Sequence, residues 1–292
     1  MLLSKLAKRM RRNRRKTEFR DYGGGQQLPH VRIYKENMDF FVSDYHFDHR
    51  NILKYCGRLG MSAEEQEKYN NRVDFKPAEH SAREMGELLI RDTNSVVGKK
   101  DRIWCLGDFC YPPREIRERA NKCVERFAYW RSRINCENVY LIWGNHDARS
   151  WTNVEHLDAE DHKRQLIVQR QIFNGTYDLK TIQIEDQCIV LCHYAIAAWE
   201  QMNCKWAPPY WNLYGHSHST AEHGLDAALP GRRSLDVGVD NIYRLFGNYC
   251  PLSFEQIKEI MKDKPGHKID HHAKIKNKKW LGKTDQEDVL NG

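Results

Sequence analysis

Short apolar runs punctuate the middle of this chain, and one of them sets the pattern. Val139 to Trp143 is apolar, Gly144 follows, and Asn145, His146 and Asp147 arrive in consecutive positions. A run of that length and composition predicts a buried strand. Gly144 lets the backbone turn where the strand stops. Asp39 to Ser43 predicts a second strand, ending in Asp44 and followed by Tyr45-His46-Phe47-Asp48-His49. Arg102 to Leu106 predicts a third, ending in Gly107-Asp108. Helical patterns separate them. Residues 50 to 56 predict a short helix, and Ser62-Ala63-Glu64-Glu65 has the form of a capping box. Pro77 opens a long helical pattern with Met85, Leu88, Leu89, Val96 and Val97 on its inner face. Pro112-Pro113 starts another that runs to about Arg133. This half is a β-α-β-α-β alternation.

The second half changes character. Asp158 to Gln169 reads as helical. Tyr177 to Ile184 and Gln187 to Cys192 predict antiparallel strands joined at Glu185-Asp186, the second ending at His193. A loop rich in Trp and Pro runs from Trp199 to Trp211. Asn212-Leu213-Tyr214 predicts a short strand entering Gly215-His216-Ser217-His218, and Ser234 to Val239 predicts another. Ser253 to Lys262 predicts a helix whose Ser253 and Gln256 form a capping box. The fold class is therefore α/β or α+β. Residues 1–30 read as a basic extension with a Gly-rich linker, 31–262 as the body, and 263–292 as a Lys-rich tail expected to be loose.

Charge sharpens that division. Nine basic residues and one acid between Lys5 and Arg20 give +8, and nine lysines and three acids between Lys258 and Lys283 give +6. The whole chain carries +7, so the rest carries −7. The first segment, with Leu2, Leu3, Leu6 and Met10 on one helical face, fits three uses: an anionic membrane surface, nucleic acid, or a transit peptide. A solvated tail is the plain alternative. With 292 residues, 40% of them hydrophobic, the chain can build one large core or two small ones. Mean hydropathy is −0.80, no apolar run is long enough to span a bilayer, and no signal-peptide pattern is present. The nine cysteines form no C-x-x-C pair and are expected to be reduced thiols in a cytoplasmic protein.

Five apolar runs end in groups that can bind a cation: Asp44 and His46; Asp108; Asn145 and His146; His193; His216 and His218. A single histidine in such a place is usually structural. Five coincidences of carboxylate, amide and imidazole point elsewhere. Oxygen and imidazole donors without cysteine suit Mn, Fe, Zn, Co or Ni rather than a thiolate zinc site.

The ordered motifs Asp44-Tyr45-His46, Gly107-Asp108, Gly144-Asn145-His146-Asp147, His193 and Gly215-His216-Ser217-His218 resemble the calcineurin-like metallophosphoesterase family. Asn51 to Cys56 and Leu235 to Asp240 are similar to a bacterial and phage branch of small phosphoesterases within it. The resemblance implies a four-layer αββα sandwich holding two divalent ions, Mn2+ first among them. Asp44, His46 and His218 then match one ion's ligands. Asn145, His193 and His216 match the other's, and Asp108 matches the bridging carboxylate. A hydroxide shared by ions about 3.5–4 Å apart would attack a phosphate ester. His146 is the candidate to protonate the leaving oxygen or neutralise its charge. Asp147 is expected either to orient a ligand from behind or to cap its turn. His49 is expected to support the cluster rather than bind an ion.

Some positions depart from the family. Gly107-Asp108 runs into Phe109-Cys110-Tyr111-Pro112-Pro113, unlike the protein Ser/Thr phosphatase signature. Position 48 is Asp where relatives commonly have Gly, which predicts a locally different loop. Trp199, Trp206, Tyr210 and Trp211 either wall the cleft for base stacking or pack their own loop. His267, His271 and His272 are expected to be solvated. The function expected is a phosphodiesterase acting on a nucleotide or nucleic acid, which the basic ends suit. The alternatives are a phosphomonoesterase on a small metabolite, a non-catalytic scaffold, and a nucleic-acid-binding protein of the same fold. The scaffold reading suits a chain that has lost its catalytic histidine, whereas His146 and all seven ligand positions are filled here.

Overall fold

The computed structural model describes residues 37–117, 119–147, 170–204, 206–228 and 232–264. Residues 1–30, the helix expected over Asp158 to Gln169, and the chain beyond Pro265 lie outside them. Strands β1 (Asp39–Val42), β2 (Arg102–Cys105), β3 (Asn138–Ile142) and β4 (Gly175–Tyr177) run parallel as neighbours, and β9 (Leu252–Ser253) lies antiparallel beside β1. β1 reads Asp-Phe-Phe-Val and is buried throughout, as a strand covered on both faces should be. The second sheet has the order β5 (Leu179–Ile184), β6 (Gln187–Cys192), β7 (Trp211–Tyr214), β8 (Ser234–Asp236). β5 and β6 are antiparallel, and β6, β7 and β8 are parallel. The chain is thus a mixed α/β fold with two mixed sheets. They touch where Ser43, just past β1, forms a parallel bridge with Gly238, just past β8. Side chains from both sheets share one apolar cluster, from Phe41 and Leu141 to Leu191, Leu213 and Leu235.

Helices α1 (Ile52–Cys56), α2 (Ala63–Asn70) and α3 (Glu79–Val96) follow β1. On α3 the buried positions Ala82, Met85, Leu89 and Thr93 recur every three or four residues, the period of one helical face. Leu88 is only half-buried, and Ser81, Gly86 and Ile90 fill the inner face instead. α3 starts two residues after Pro77, with Ala78 in the capping position and no side-chain cap of its own. Its cap comes from α2. Glu65 closes the capping box with Ser62 and also accepts the Ala78 N–H at 2.6 Å and the Ser81 hydroxyl at 2.5 Å.

Four further stretches differ from expectation. The helix after Pro113 is two helices, α4 (Arg114–Arg117) and α5 (Ala120–Arg133), because Arg119 is extended at φ −119°, ψ 100°. Tyr177 belongs to β4 and pairs with Ile142, so the chain changes sheets at Asp178. β8 stops at Asp236, and Val239 opens helix α7 (Val239–Phe246) after α6 (Thr220–Ala228). Val239, Ile242 and Leu245 are buried at helical spacing, which outweighs the apolar run that suggested a longer strand. The capping box at Ser253 and Gln256 forms as expected and starts α8 (Phe254–Met261). Lys264 is buried against Glu222, so packed structure reaches that residue. All nine cysteines are free, and among the described residues no helix is long and apolar enough to cross a membrane.

Glu65 yields a stability prediction. Burial alone would raise its pKa, but the donors on Ser81, Ala78 and Ser62 outweigh it and hold the carboxyl below the ordinary glutamate range. Its stabilisation is therefore complete above that range and lost as pH falls through the folded-state value. Glu65→Ala should cost about 2–3 kcal/mol at pH 7, since charged hydrogen bonds are removed and donors orphaned. Urea melts at pH 7 and pH 3 should show that the difference between wild type and variant shrinks in acid.

Candidate metal centre

The turns after β1 and β2 zip together before any side chain is considered. The Asp44 N–H donates to Gly107 O at 3.0 Å, His46 N–H to Asp108 O at 2.9 Å and Phe47 N–H to Phe109 O at 3.1 Å. Gly107 permits this approach: its φ is +100°, and a Cβ there would lie 2.5 Å from His193 Nδ1. Asp147 fixes the third turn to the second. Its buried carboxylate accepts the N–H groups of Gly144 and Asp108, each at 2.8 Å, and of Phe109 at 2.9 Å. It therefore caps two turns at once. Burial, with repulsion from Asp108, pushes its pKa up to about 7 against the help of those donors.

These turns, with those after β6 and β7, bring the side chains named in the sequence to one place. Asp44, His46 and His218 present ligand atoms within 4.8 Å of one another, and so do Asp108, His193 and His216. Asp108 stands between the two trios: its Oδ2 is 3.4 Å from His46 Nε2 and 3.5 Å from His193 Nε2. Its Oδ1 is occupied by the His146 N–H at 2.7 Å. Asn145 joins the second trio, with Oδ1 at 3.0 Å from His193 Nε2. The Asp44 carboxylate accepts the His216 N–H, at 2.9 Å to Oδ2.

Neighbours fix which ring nitrogen faces the cluster. His193 Nδ1 bonds to Leu106 O at 2.7 Å, so Nε2 points at Asp108 and Asn145. His46 Nδ1 meets His49 Nδ1 at 3.2 Å. His46 Nε2 is then buried with no hydrogen-bond partner among the described residues, facing Asp108 and, at 3.9 Å, Asp44. An orphaned imidazole nitrogen between two buried carboxylates suits a seated divalent cation. Burial drives His46 well below its ordinary pKa and raises that of Asp44. Burial opposes the charged form of His193 too, but its hydrogen bond to Asp108 and the charge of Asp44 push it up to about 9.

His146 lies half-buried at the edge of the cluster, its ring centroid 5.2 Å from that of His46 and 4.4 Å from that of Tyr111. Burial holds its pKa below the ordinary value, and the cations nearby, Arg117 among them, act in the same sense. The backbone around the cluster is unusual. Asp44, His46, Asp108, His216 and His218 all sit at φ between +46° and +67°. That region is uncommon outside glycine. Asp48 also sits there, at +66°, so the loop keeps the backbone a glycine would favour. Arg126 grips its carboxylate through two bonds of 2.7 Å, which offsets the cost.

Sequence reasoning missed the layer behind His218. Its Nδ1 meets Asp240 Oδ2 at 2.6 Å, leaving Nε2 toward the cluster. Asp240 is held in turn by the buried Arg58, through Nε at 2.8 Å and Nη2 at 2.7 Å. Cys56 lies in the same group as His218 and Asp240, although no cysteine was expected near the site. Asp240 bonds to both His218 and Arg58, and Cys56 adds a hydrogen bond to His218. Asp240 lay inside the quoted Leu235 to Asp240 stretch, but nothing local marked its partner. Of the aromatic loop, Trp211 is buried against Phe254, Trp199 donates its ring N–H to Tyr210 O, and Trp206 is 94% exposed. Trp199 thus ties the loop to its own end, while Trp211 opens β7 and packs on α8.

No family model matches the chain. An uncharacterized protein of Methanocaldococcus jannaschii is 26% identical over 222 residues, which span 76% of this chain and 90% of that protein. A protein of unknown function from Aquifex aeolicus overlaps 77% of this chain and 99% of its own, with a TM-score of 0.44 and 19% identity. YfcE, a phosphoesterase from E. coli, overlaps 62% of this chain and 69% of its own, with a TM-score of 0.24 and 18% identity.

Removing the acceptor behind His218 tests whether that ring is held for a cation. Asp240→Asn should weaken Mn2+ binding by about 10–100-fold, as loss of a partner behind a ligating histidine does elsewhere. Titration calorimetry on wild type and variant measures this, and equal affinities would dissociate His218 from metal binding.

Proposed function

We propose that the chain is a dinuclear metal-dependent phosphoesterase of the calcineurin-like type, with the four-layer αββα arrangement of that family. One observation carries the reading: a single carboxylate oxygen of Asp108 lies within 3.5 Å of an imidazole from each trio. That is the position a bridging ligand requires, because one negative group must reduce the repulsion between two cations. Asp44, His46 and His218 would hold the first ion, and Asn145, His193 and His216 the second, with Asp108 shared. The donors are oxygen and imidazole, which favours Mn2+ and admits Fe, Zn, Co or Ni. When bound, two such ions activate water near neutral pH and neutralise charge on a phosphoryl group. The sharing of one core by both sheets supports the layered arrangement.

The chain's own residues supply the rest. His146, beside the shared carboxylate but outside both trios, donates a proton or hydrogen bond to the departing oxygen. Asp147 keeps the Asn145 and Asp108 turns in register. Arg58 and Asp240 hold the His218 ring through its Nδ1. The substrate class we infer is a phosphodiester in a nucleotide or nucleic acid, and the basic segments at either end would add attraction for such a polyanion.

Assay of bis-p-nitrophenyl phosphate beside p-nitrophenyl phosphate, with added Mn2+, tests the reading. The diester should be the better substrate. A strong monoester preference would move the assignment to a phosphomonoesterase, and silence toward both esters with Mn2+, Co2+ and Zn2+ would remove it. Asp108→Ala should lose metal and activity together. His146→Ala should retain both ions by elemental analysis while turnover falls about 10²–10⁴-fold. Loss of an ion in that variant would make His146 a ligand.

A further inference from the structure

Beside the candidate metal centre stands a cation for which the described residues supply no ion-pair partner. Arg117 ends the short helix α4, and its guanidinium carbon lies 4.1 Å from the centre of the Tyr111 ring. Tyr111 packs on His146, with ring centroids 4.4 Å apart, and on His49 at 4.8 Å. The guanidinium is thus one ring away from His146. The turn that presents it is stiff: Pro112 and Pro113 fix φ, and the N–H groups of Ile116 and Arg117 both bond to Pro113 O at 3.0 Å.

Among the described residues the guanidinium makes no ion pair or side-chain hydrogen bond, and its Nε is buried without an acceptor. Asp48 is already gripped by Arg126 through two bonds of 2.7 Å. Leaving a buried charged donor unmet is costly, so a fork-shaped cation in this state suits an anion that arrives with the substrate. Tyr111 stacks against the guanidinium, and the arginine is only partly buried, which leaves its planar fork of N–H donors able to match a phosphate. A flat base would have to displace that stacking, whereas a phosphate would not.

We propose that Arg117, backed by Tyr111, forms a subsite for a second phosphate carried by the leaving group, beside the phosphate that is cleaved. This rests on the phosphoesterase reading and on His146 facing the departing oxygen. It narrows the substrates to esters or anhydrides in which the leaving group is itself phosphorylated. Nucleoside diphosphates and terminally phosphorylated oligonucleotides both present that chemistry.

The test compares matched pairs with the full chain and Mn2+: adenosine 5′-diphosphate against adenosine 5′-monophosphate, and thymidine dinucleotides with and without a terminal phosphate. Wild type should favour the phosphate-bearing member of at least one pair, and which pair responds tells the two sources apart. In Arg117→Ala and Arg117→Gln the ratio of kcat/KM within that pair should fall about tenfold or more, chiefly through KM. Arg117→Lys should recover part of it, since the charge returns without the fork. Each ratio is taken within one protein, so a general loss of folded enzyme cancels. If wild type cleaves bis-p-nitrophenyl phosphate but neither pair shows a preference, or the ratio survives all three substitutions, the subsite is wrong and the hydrolase reading stands. If no ester is cleaved with Mn2+, Co2+ or Zn2+, the hydrolase reading fails and the subsite with it.

Discussion

One buried guanidinium ties the halves of the molecule together. Arg58 donates to the carbonyl oxygens of Asp44 and Tyr45, each at 2.8 Å, and to both carboxylate oxygens of Asp240. The first two acceptors belong to the turn after β1. The third stands at the start of α7, after β8, and holds His218. A charge removed from water is tolerated only when its hydrogen bonds are met, and here acceptors surround it. Because its acceptors lie in the turn after β1 and at the start of α7, the arginine ties the segment that carries Asp44 and His46 to the residue that holds His218. Loss of this side chain would leave the buried Asp240 with His218 as its remaining partner and two carbonyl groups unmet.

The legible part of the fold was local. The capping boxes at Ser62 and Ser253, the hairpin around Glu185-Asp186 and the buried runs of β1, β2, β3 and β6 depend on neighbours a few positions away. So do the turn residues that carry Asp44, Asp108, Asn145 and His193. The illegible part was distant. Arg58 and Asp240 are 182 positions apart, and neither sits in a pattern that marks it. The sheet change at Asp178 was hidden because the apolar alternation continues through Tyr177 and Leu179. The break at Arg119 was hidden because its neighbours are good helix formers. Helix α7 was hidden because an apolar run at its start also reads as strand.

Asp48 shows how a departure from a motif can be absorbed. Glycine would reach its left-handed backbone without strain, and aspartate reaches it with a carboxylate locked by Arg126. The same backbone recurs at five of the residues that face the cluster. Hydrogen bonds from adjacent turns hold them there: Asp44 and His46 against Gly107 and Asp108, and His216 against the Asp44 carboxylate. The geometry is therefore imposed by the scaffold before any ligand arrives, which is the sense in which such a site is preorganised.

Each trio draws on both sheets. Asp44 and His46 come from one and His218 from the other, while Asp108 faces His193 and His216 across the same seam. A cation seated in either trio would act as a rivet through that seam. Tightness of the clasp and occupancy of the site would then share one set of bonds, so a chelator would loosen the whole body as it emptied the site.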